Sequence, residues 1–310
     1  MNKKDNDSSN FEEEIDLLEF FNILWDAKKT IVILTIISAI SSVIYALSIE
    51  NKYKSEAVLT INGSENTAFS QYSGIASLAG IGLTNASSDP SIEMIEILKS
   101  REFMKHLMQF DKIKPTILAS KSYDHKTGLI TYDAEVYDAS RREWIRDPSQ
   151  NTSVIPSYLE VHEAYLNNVL SVSKDKETGL IAMSVEHVSP IFAKDFLSLI
   201  IKEANSIKRQ KDIDMADKAI VYLELELAKT PVSEIKESIG ELLQKQLEIK
   251  MVANVNEEYK LETIDSPFIP EKKSYPSRAM ICIFLTIVGG IFSVLIVLFR
   301  HFFLEKPKKT

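Results

Sequence analysis

The chain has 310 residues, a mean hydropathy of −0.05 and a net charge of −8 at neutral pH. Nine glycines, ten prolines and 45% apolar residues exclude a collagen-like or wholly disordered chain. One cysteine excludes an internal disulfide or a zinc cluster built from cysteines, and the acidic balance excludes the basic footprint usual for nucleic-acid binding.

Two uncharged, apolar stretches lie near the ends of the chain, at residues 30–49 and 279–299. Each is long enough to cross a hydrocarbon core of about 30 Å as a helix. A cleaved signal peptide is the alternative for the first stretch, because Ala46-Leu47-Ser48 resembles a cleavage site. The preceding segment 1–29 is long and acidic, however, whereas a signal peptide begins with a short basic region. We therefore predict two transmembrane helices.

Both stretches carry small residues that would let two helices approach closely in lipid. They lie at four-residue spacing, with Gly290 beside them: Ser38, Ser42 and Ala46 in the first stretch, Gly289 and Ser293 in the second. Small residues are also common in any span, and the sequence does not decide between these interpretations. Cys282 lies within the second stretch, where a cysteine behaves as a small apolar residue.

Two spans would place both termini on one side of the membrane and residues 50–278 on the other. The basic residues that flank the spans are nearly balanced between the two sides and do not settle the orientation. The tail 300–310 holds four basic residues and one acid, which favours cytoplasmic termini. By difference, segment 50–278 is acidic, so we expect no electrostatic adhesion to anionic lipid or nucleic acid.

The first part of the large segment mixes strand and helix patterns. Residues 52–61 alternate as a half-buried strand, and the Ser-, Gly- and Asn-rich residues 62–90 predict a surface loop. A helix is predicted from Asp89-Pro90 to about Gln109. We expect residues 115–156 to be irregular, residues 158–169 to form a short helix and residues 170–186 to form a hairpin. The apolar residues expected to face inward from the first helix are Ile92, Ile95, Leu98, Phe103 and Leu107.

A very long helix is predicted next. Ser189-Pro190 is a strong helix start, and no breaker follows until Thr230-Pro231, so the helix would measure about 60 Å. After Pro231 a second amphipathic helix can return alongside it, which gives a protrusion over about 190–256, and a strand at 259–264 follows. The apolar face of the long helix is interrupted by Lys208, Arg209, Lys211 and Asp212. Because these turns are polar all round, we expect them to project into solvent or to meet identical neighbours.

No catalytic constellation is evident. The five histidines are scattered, and Asp212-x-Asp214 is interpreted as a solvated helix face rather than a metal-binding pair. No Gly-x-Ser-x-Gly motif and no phosphate-binding Gly-Lys-Ser/Thr motif is present. We therefore expect a protein that is not an enzyme and has no cofactor, metal or catalytic residues.

A proline-rich segment at 265–278 precedes the second apolar stretch. It contains Pro267, Pro270, Ser274, Pro276 and Arg278. Proline fixes φ and removes a backbone donor, so this segment predicts a stiff extended strut that holds the large domain at a set height above the membrane. An ordinary proline-rich linker is the alternative.

Several of these motifs resemble those of the Wzz-type polysaccharide co-polymerases, the chain length determinants of O-antigen and related surface polysaccharides. The resemblance extends over the whole chain, and the proline-rich segment is its most specific part. The motifs that carry it are 14–25 (EIDLLEFFNILW), 97–103 (ILKSREF), the Tyr222-Leu223 to Thr230 stretch, Ile264 to Arg278 (IDSPFIPEKKSYPSR) and Gly289-Gly290. Ser266-Pro267-Phe268 departs from the small residues that are more usual there.

The resemblance implies an α+β protein of the bacterial inner membrane. Two transmembrane helices would flank a periplasmic α/β base domain with a long protruding helix, and protomers would form a ring. Such proteins set the chain length of a glycan that a Wzy-type polymerase builds from undecaprenyl-linked repeats, and they catalyse no bond formation.

Other tasks are compatible with parts of this architecture. A scaffold or adaptor for capsular or exopolysaccharide export is the main alternative. A co-polymerase fused to a tyrosine autokinase is disfavoured because no Walker loop is present and only 11 residues follow Phe299. A two-span receptor would need cytoplasmic signalling domains, for which the terminal segments are too short.

Overall fold

The computed structural model describes residues 24–62, 89–148 and 153–300. They divide into two compact units, one made of the terminal segments Met1–Glu50 and Pro276–Thr310 and one made of Asn51–Tyr275. The helices are α1 Lys28–Ser48, α2 Pro90–Lys99, α3 Arg101–Leu107, α4 Ile113–Ala119, α5 Tyr158–Ala164, α6 Pro190–Lys229, α7 Ser233–Val255 and α8 Arg278–Phe299. The strands are β1 Tyr53–Ile61, β2 Ser120–Asp124, β3 Leu129–Tyr132, β4 Tyr137–Asp138, β5 Glu143–Trp144, β6 Leu170–Lys174, β7 Ile181–His187 and β8 Leu261–Asp265.

The terminal unit consists of α1 packed against α8. Both helices are long and apolar enough to cross a membrane, with mean hydropathies of 2.3 and 2.9. Most of their apolar side chains are exposed, whereas the small residues Ser42, Ala46 and Ser293 are buried. Small side chains therefore line the contact and large ones face outward, as expected for helices surrounded by lipid.

The central unit is built on a four-stranded antiparallel sheet of order β6-β7-β1-β8. β1 lies at its centre, with Tyr53 opposite His187 of β7 and Ile61 opposite Leu261 of β8. Alternate residues of β1 are buried, as the sequence pattern predicts. Together with the terminal helices and the long α6, this confirms the predicted α+β fold class.

Helix α6 packs on β1 and β7, and α2 contacts β6, while α3 and α5 contact each other and add side chains to the same hydrophobic core. Ser189 begins α6, since its Oγ accepts a hydrogen bond from Phe192 N at 3.2 Å, and Pro190 follows at the first helical position. α6 has 40 residues and ends at Lys229, as predicted. The fully buried side chains at the centre of the core are Leu59, Leu98, Met104, Leu107, Tyr165, Ile181, Leu197, Ile200 and Leu261.

The predicted helix at 89–109 is in fact two helices. Ser100 separates α2 from α3, and its Oγ accepts from Phe103 N at 3.1 Å. The buried face of α2 consists of Ser91, Met94 and Leu98, whereas Ile92 is 53% exposed. The expectation that Ile92 points inward is therefore wrong, because Met94 rather than Ile92 continues the face that Leu98 belongs to.

The expectation that residues 115–156 are irregular is also wrong for one helix and two hairpins between residues 115 and 144. α4 begins this region, and the hairpins β2-β3 and β4-β5 follow it. Tyr137 packs between Tyr132 and Trp144, with ring centroids 5.5 and 5.0 Å apart. These aromatic contacts hold together strands that are too short and too polar for the sequence pattern to show.

Candidate functional site

The polar segment of α6 is partly covered by its own chain. The side chains of Lys208 and Asp212 are only 12% and 15% exposed, whereas Lys211 is exposed and Arg209 is half-buried. Lys208 Nζ contacts Asp212 Oδ1 at 3.0 Å and Glu93 Oε1 at 2.9 Å. The expectation of a segment solvated all round is therefore wrong for Lys208 and Asp212, since one face of these turns packs against α2 and the residues before β8.

Tyr259 extends this network towards β8. Its hydroxyl donates to Asp212 Oδ2 at 2.9 Å, and its side chain is buried. Burial and the neighbouring Asp212 carboxylate raise the pKa of Tyr259, so it stays a donor at neutral pH. Burial would lower the pKa of Lys208, but its hydrogen bonds to Glu93 and Asp212 outweigh that effect and raise it. The network thus joins the Lys208 ammonium and the Tyr259 hydroxyl, as donors, to the carboxyl groups of Glu93 and Asp212.

Asn205 fixes the backbone of Lys260 and Leu261 at the beginning of β8. It is 3% exposed, its Nδ2 donates to Leu261 O at 2.8 Å, and its Oδ1 accepts from Lys260 N at 2.9 Å and Leu261 N at 2.8 Å. One side chain therefore attaches α6 to the beginning of β8. Sequence reasoning missed Asn205, although a lone amide on the buried stripe of an amphipathic helix is the signal that would have shown it.

The proline-rich segment runs beside β1 in its central-unit part, residues 265–275. Ser55 Oγ donates to Phe268 O at 2.7 Å, and Lys52 N donates to Tyr275 O at 2.8 Å. Ser274 Oγ lies 3.1 Å from Lys52 O and 3.2 Å from Glu186 Oε1. Pro270 is buried and Pro267 is half-buried, while Pro276 and Arg278 belong to the terminal unit, where Arg278 begins α8.

The small residues of the two apolar helices meet in the terminal unit. Ser38 Oγ donates to Leu285 O at 3.2 Å, and Thr35 Oγ1 lies 3.5 Å from Ser293 Oγ. A Cβ added at Gly289 would lie 2.0 Å from Ser38 Oγ, whereas one added at Gly290 would meet nothing closer than 3.9 Å. Gly289 is therefore sterically required at this contact, and Gly290 is not.

The histidines have separate local partners. His106 Nε2 lies 2.7 Å from Glu203 Oε2, His162 contacts the Lys99 carbonyl oxygen, and His125 contacts the Tyr53 hydroxyl. His187 is buried between Thr116 O and Ser189 N, and burial lowers its pKa to about 4. His301 lies outside the described residues. Within the described ranges, no group of three or more His, Cys, Asp or Glu residues could hold a metal ion.

Comparison with known proteins finds a similarity to one family in the N-terminal third of the chain. A family model described as Wzz, chain length determinant protein, matches residues 13–109. A solved structure titled "full-length bacterial polysaccharide co-polymerase" aligns over 95% of this chain and 99% of its own, with 13% identity and a TM-score of 0.41. No curated protein matches the sequence. The motifs at 14–25 and 97–103 both fall within the matched region, and the resemblance to the Wzz chain length determinants is confirmed there.

Proposed function

We propose that this protein is a non-catalytic regulator of polysaccharide chain length in a bacterial inner membrane. The observation that carries the proposal is the family-model match over residues 13–109. The helix α1 lies within that match, whereas the proline-rich segment and α8 lie outside it. They support the proposal because the order of the two apolar helices and the proline-rich segment along the chain is the one the resemblance implies.

The proposal includes a homo-oligomeric ring that acts with a Wzy-type polymerase on undecaprenyl-linked polysaccharide. Exposed apolar side chains on the helical hairpin support self-association, because monomeric proteins rarely leave many such side chains uncovered. Val221 and Leu225 on α6 and Leu247 and Met251 on α7 are each more than half exposed. These residues would contact neighbouring protomers in the ring.

Deletion of the gene, followed by sizing of the surface polysaccharide on a gel, tests the proposed function. Length control predicts that the preferred chain length is lost while polymer still reaches the cell surface. Polymer that accumulates inside the cell would instead indicate the alternative, an adaptor for export. Restoration by the plasmid-borne gene is the control.

The oligomer is tested on the full-length protein in nanodiscs. Particle imaging or mass photometry should give a single closed assembly of several protomers. Replacing Val221 and Leu225 with Ser should weaken that assembly, and a purely monomeric wild-type protein would contradict the ring.

A further inference from the structure

A polar cavity lies between α2, α6 and α7, beside the end of β1 and the beginning of β8. Its volume is about 470 Å³, within the usual range of small-ligand sites. Ionic side chains from four parts of the chain line it, with Glu93 on α2, Lys208 and Asp212 on α6, Lys245 and Glu248 on α7, and Lys260 just before β8. Ile249 and Val252 of α7 supply an apolar wall.

The ionic groups retain hydrogen-bonding capacity that faces the cavity. Among the described residues, Glu93 uses only its Oε1 oxygen, and the Lys208 ammonium makes two contacts out of a possible three. The Lys260 ammonium lies over the Tyr259 ring, 4.7 Å from its centroid, and makes no ion pair with a described carboxylate. Glu93, Lys208 and Lys260 therefore offer one acceptor oxygen and two donor groups to a ligand.

The charges of the cluster decide what kind of ligand fits. The carboxylates of Glu93, Asp212 and Glu248 are balanced by the ammonium groups of Lys208, Lys245 and Lys260, so an anion beside a lysine of the cavity would also face a carboxylate. A cation would meet the corresponding repulsion from the lysines. Uncharged hydroxyl groups are favoured, because each can donate to a carboxylate and accept from an ammonium.

The cluster is also held in place before any ligand binds. Tyr259 and Lys208 hold the Asp212 carboxylate, and Asn205 fixes the backbone of Lys260. Pre-organised groups bind a ligand at lower entropic cost. A sugar ring fits these features because it has hydroxyls at its edge and C–H groups on its face, which can pack on Ile249 and Val252.

We propose that this cavity binds an uncharged sugar residue, with Glu93 accepting from its hydroxyls and Lys208 and Lys260 donating to them. The assignment of the ligand as part of the growing polysaccharide rests on the proposed function. The cavity would then be a point at which the protein holds the chain whose length it controls.

Calorimetric titration of the full-length protein in nanodiscs tests the proposal. The probe is a mixture of short oligosaccharides released from the host cell's own surface polysaccharide by mild acid and separated into neutral and acidic fractions. We expect the neutral fraction to bind, and Glu93→Gln and Lys260→Gln each to weaken binding by about tenfold, because each loses a hydrogen bond to a charged group. The matched controls Glu177→Gln and Lys176→Gln, on the exposed β6–β7 turn, should bind as wild type does.

Three outcomes would overturn the proposal. They are no binding of the neutral fraction by the wild type, binding by the two cavity variants that is as tight as that of the wild type, and tighter binding of inorganic phosphate or the acidic fraction than of the neutral fraction. Lysine acetylation followed by mass spectrometry gives a second measurement, since the neutral oligosaccharide should protect Lys260 and leave Lys176 unprotected. The gel assay of the deletion strain does not depend on this cavity, so the binding proposal can fail while length control stands.

Discussion

Among the described glycines, Gly289 is the one at which an added side chain would clash most severely with a neighbour. A Cβ at this position would lie 2.4 Å from Ser38 Cβ, a distance that rotation of the Ser38 hydroxyl cannot relieve. We expect Gly289→Ala to push α1 and α8 apart at a cost of about 1–3 kcal/mol. The measurement is disulfide formation between Thr35→Cys and Ser293→Cys in a Cys282→Ala background, whose yield should fall several-fold.

The neighbouring glycine provides the matched control for this prediction. Gly290→Ala meets only ordinary van der Waals contact with Thr35 and should leave the yield unchanged. Adding Ser38→Gly to Gly289→Ala should restore the lost crosslink, because it removes the two atoms in conflict. Equal yields in the Gly289 and Gly290 variants would show that the helices do not meet at this face.

His187 should make the central unit sensitive to acid. Burial lowers its pKa to about 4 against an ordinary value of 6.5, so the folded protein keeps the imidazole neutral between Thr116 O and Ser189 N. The unfolded chain binds a proton first as the pH falls, and His187 therefore stabilises the fold fully only above about pH 6.5. Between there and pH 4 its contribution should fall by about 3 kcal/mol.

Urea unfolding at pH 4 to 7, followed by circular dichroism of the full-length protein in detergent, measures this effect. His187→Gln removes the titration, keeps a donor for Thr116 O and should flatten the pH dependence relative to wild type. His162→Gln is the control, because His162 contacts a carbonyl at the surface and should leave the wild-type slope intact. If the free energy of unfolding changed with pH equally in all three proteins, His187 would not be the cause of the acid sensitivity.

At the scale of elements, Asn205 connects the longest helix to the closing strand. Asn205→Ala would remove three hydrogen bonds and leave buried backbone groups of Lys260 and Leu261 without partners. We expect a loss of about 2–4 kcal/mol in the free energy of unfolding and faster hydrogen exchange at the Lys260 and Leu261 amides. Asn254→Ala is the matched control and should change little, since the exposed Asn254 side chain bonds to Lys250 O within its own helix and to no other residue that the structure describes.

The elements also show what sequence patterns can and cannot predict. Ser189-Pro190 and Thr230-Pro231 predict both ends of α6 correctly because capping and proline geometry act locally. Lys208 and Asp212 were misjudged because their partners Glu93 and Tyr259 lie far away in the sequence. The hairpins within residues 120–144 were missed for a similar reason, since their stability comes from packing among Tyr132, Tyr137 and Trp144 rather than from alternation.

The small residues of α1 and α8 are a second example of what a sequence pattern cannot predict. Spacing alone placed Ser38, Ser42, Ala46, Gly289 and Ser293 in one group without deciding whether they pack together. The structure brings Ser38 against Gly289 and buries Ser42, Ala46 and Ser293. Which glycine is required could not be predicted, because that depends on the register between two helices that are about 240 residues apart in the chain.

At the scale of the whole molecule, we predict that the proline-rich segment acts as a stiff strut and holds the central unit at a set height above the membrane. Replacing Pro267, Pro270 and Pro276 together with Ala should broaden the length distribution of the surface polysaccharide on a gel, because a more flexible segment holds the domain less firmly. Pro115→Ala and Pro156→Ala, outside this segment, serve as controls. An unchanged distribution in the triple variant, with normal protein levels, would make the segment an ordinary linker.

Orientation in the membrane is the second prediction at this scale. The excess of basic residues in the tail 300–310 favours cytoplasmic termini, so the central unit should lie outside the cytoplasm. In a Cys282→Ala background, Lys176→Cys on the exposed β6–β7 turn should react with a membrane-impermeant maleimide in intact spheroplasts. Thr310→Cys should react only after lysis. The reverse pattern would invert the orientation, and labelling of both positions in intact spheroplasts would show that α1 and α8 do not both cross the membrane.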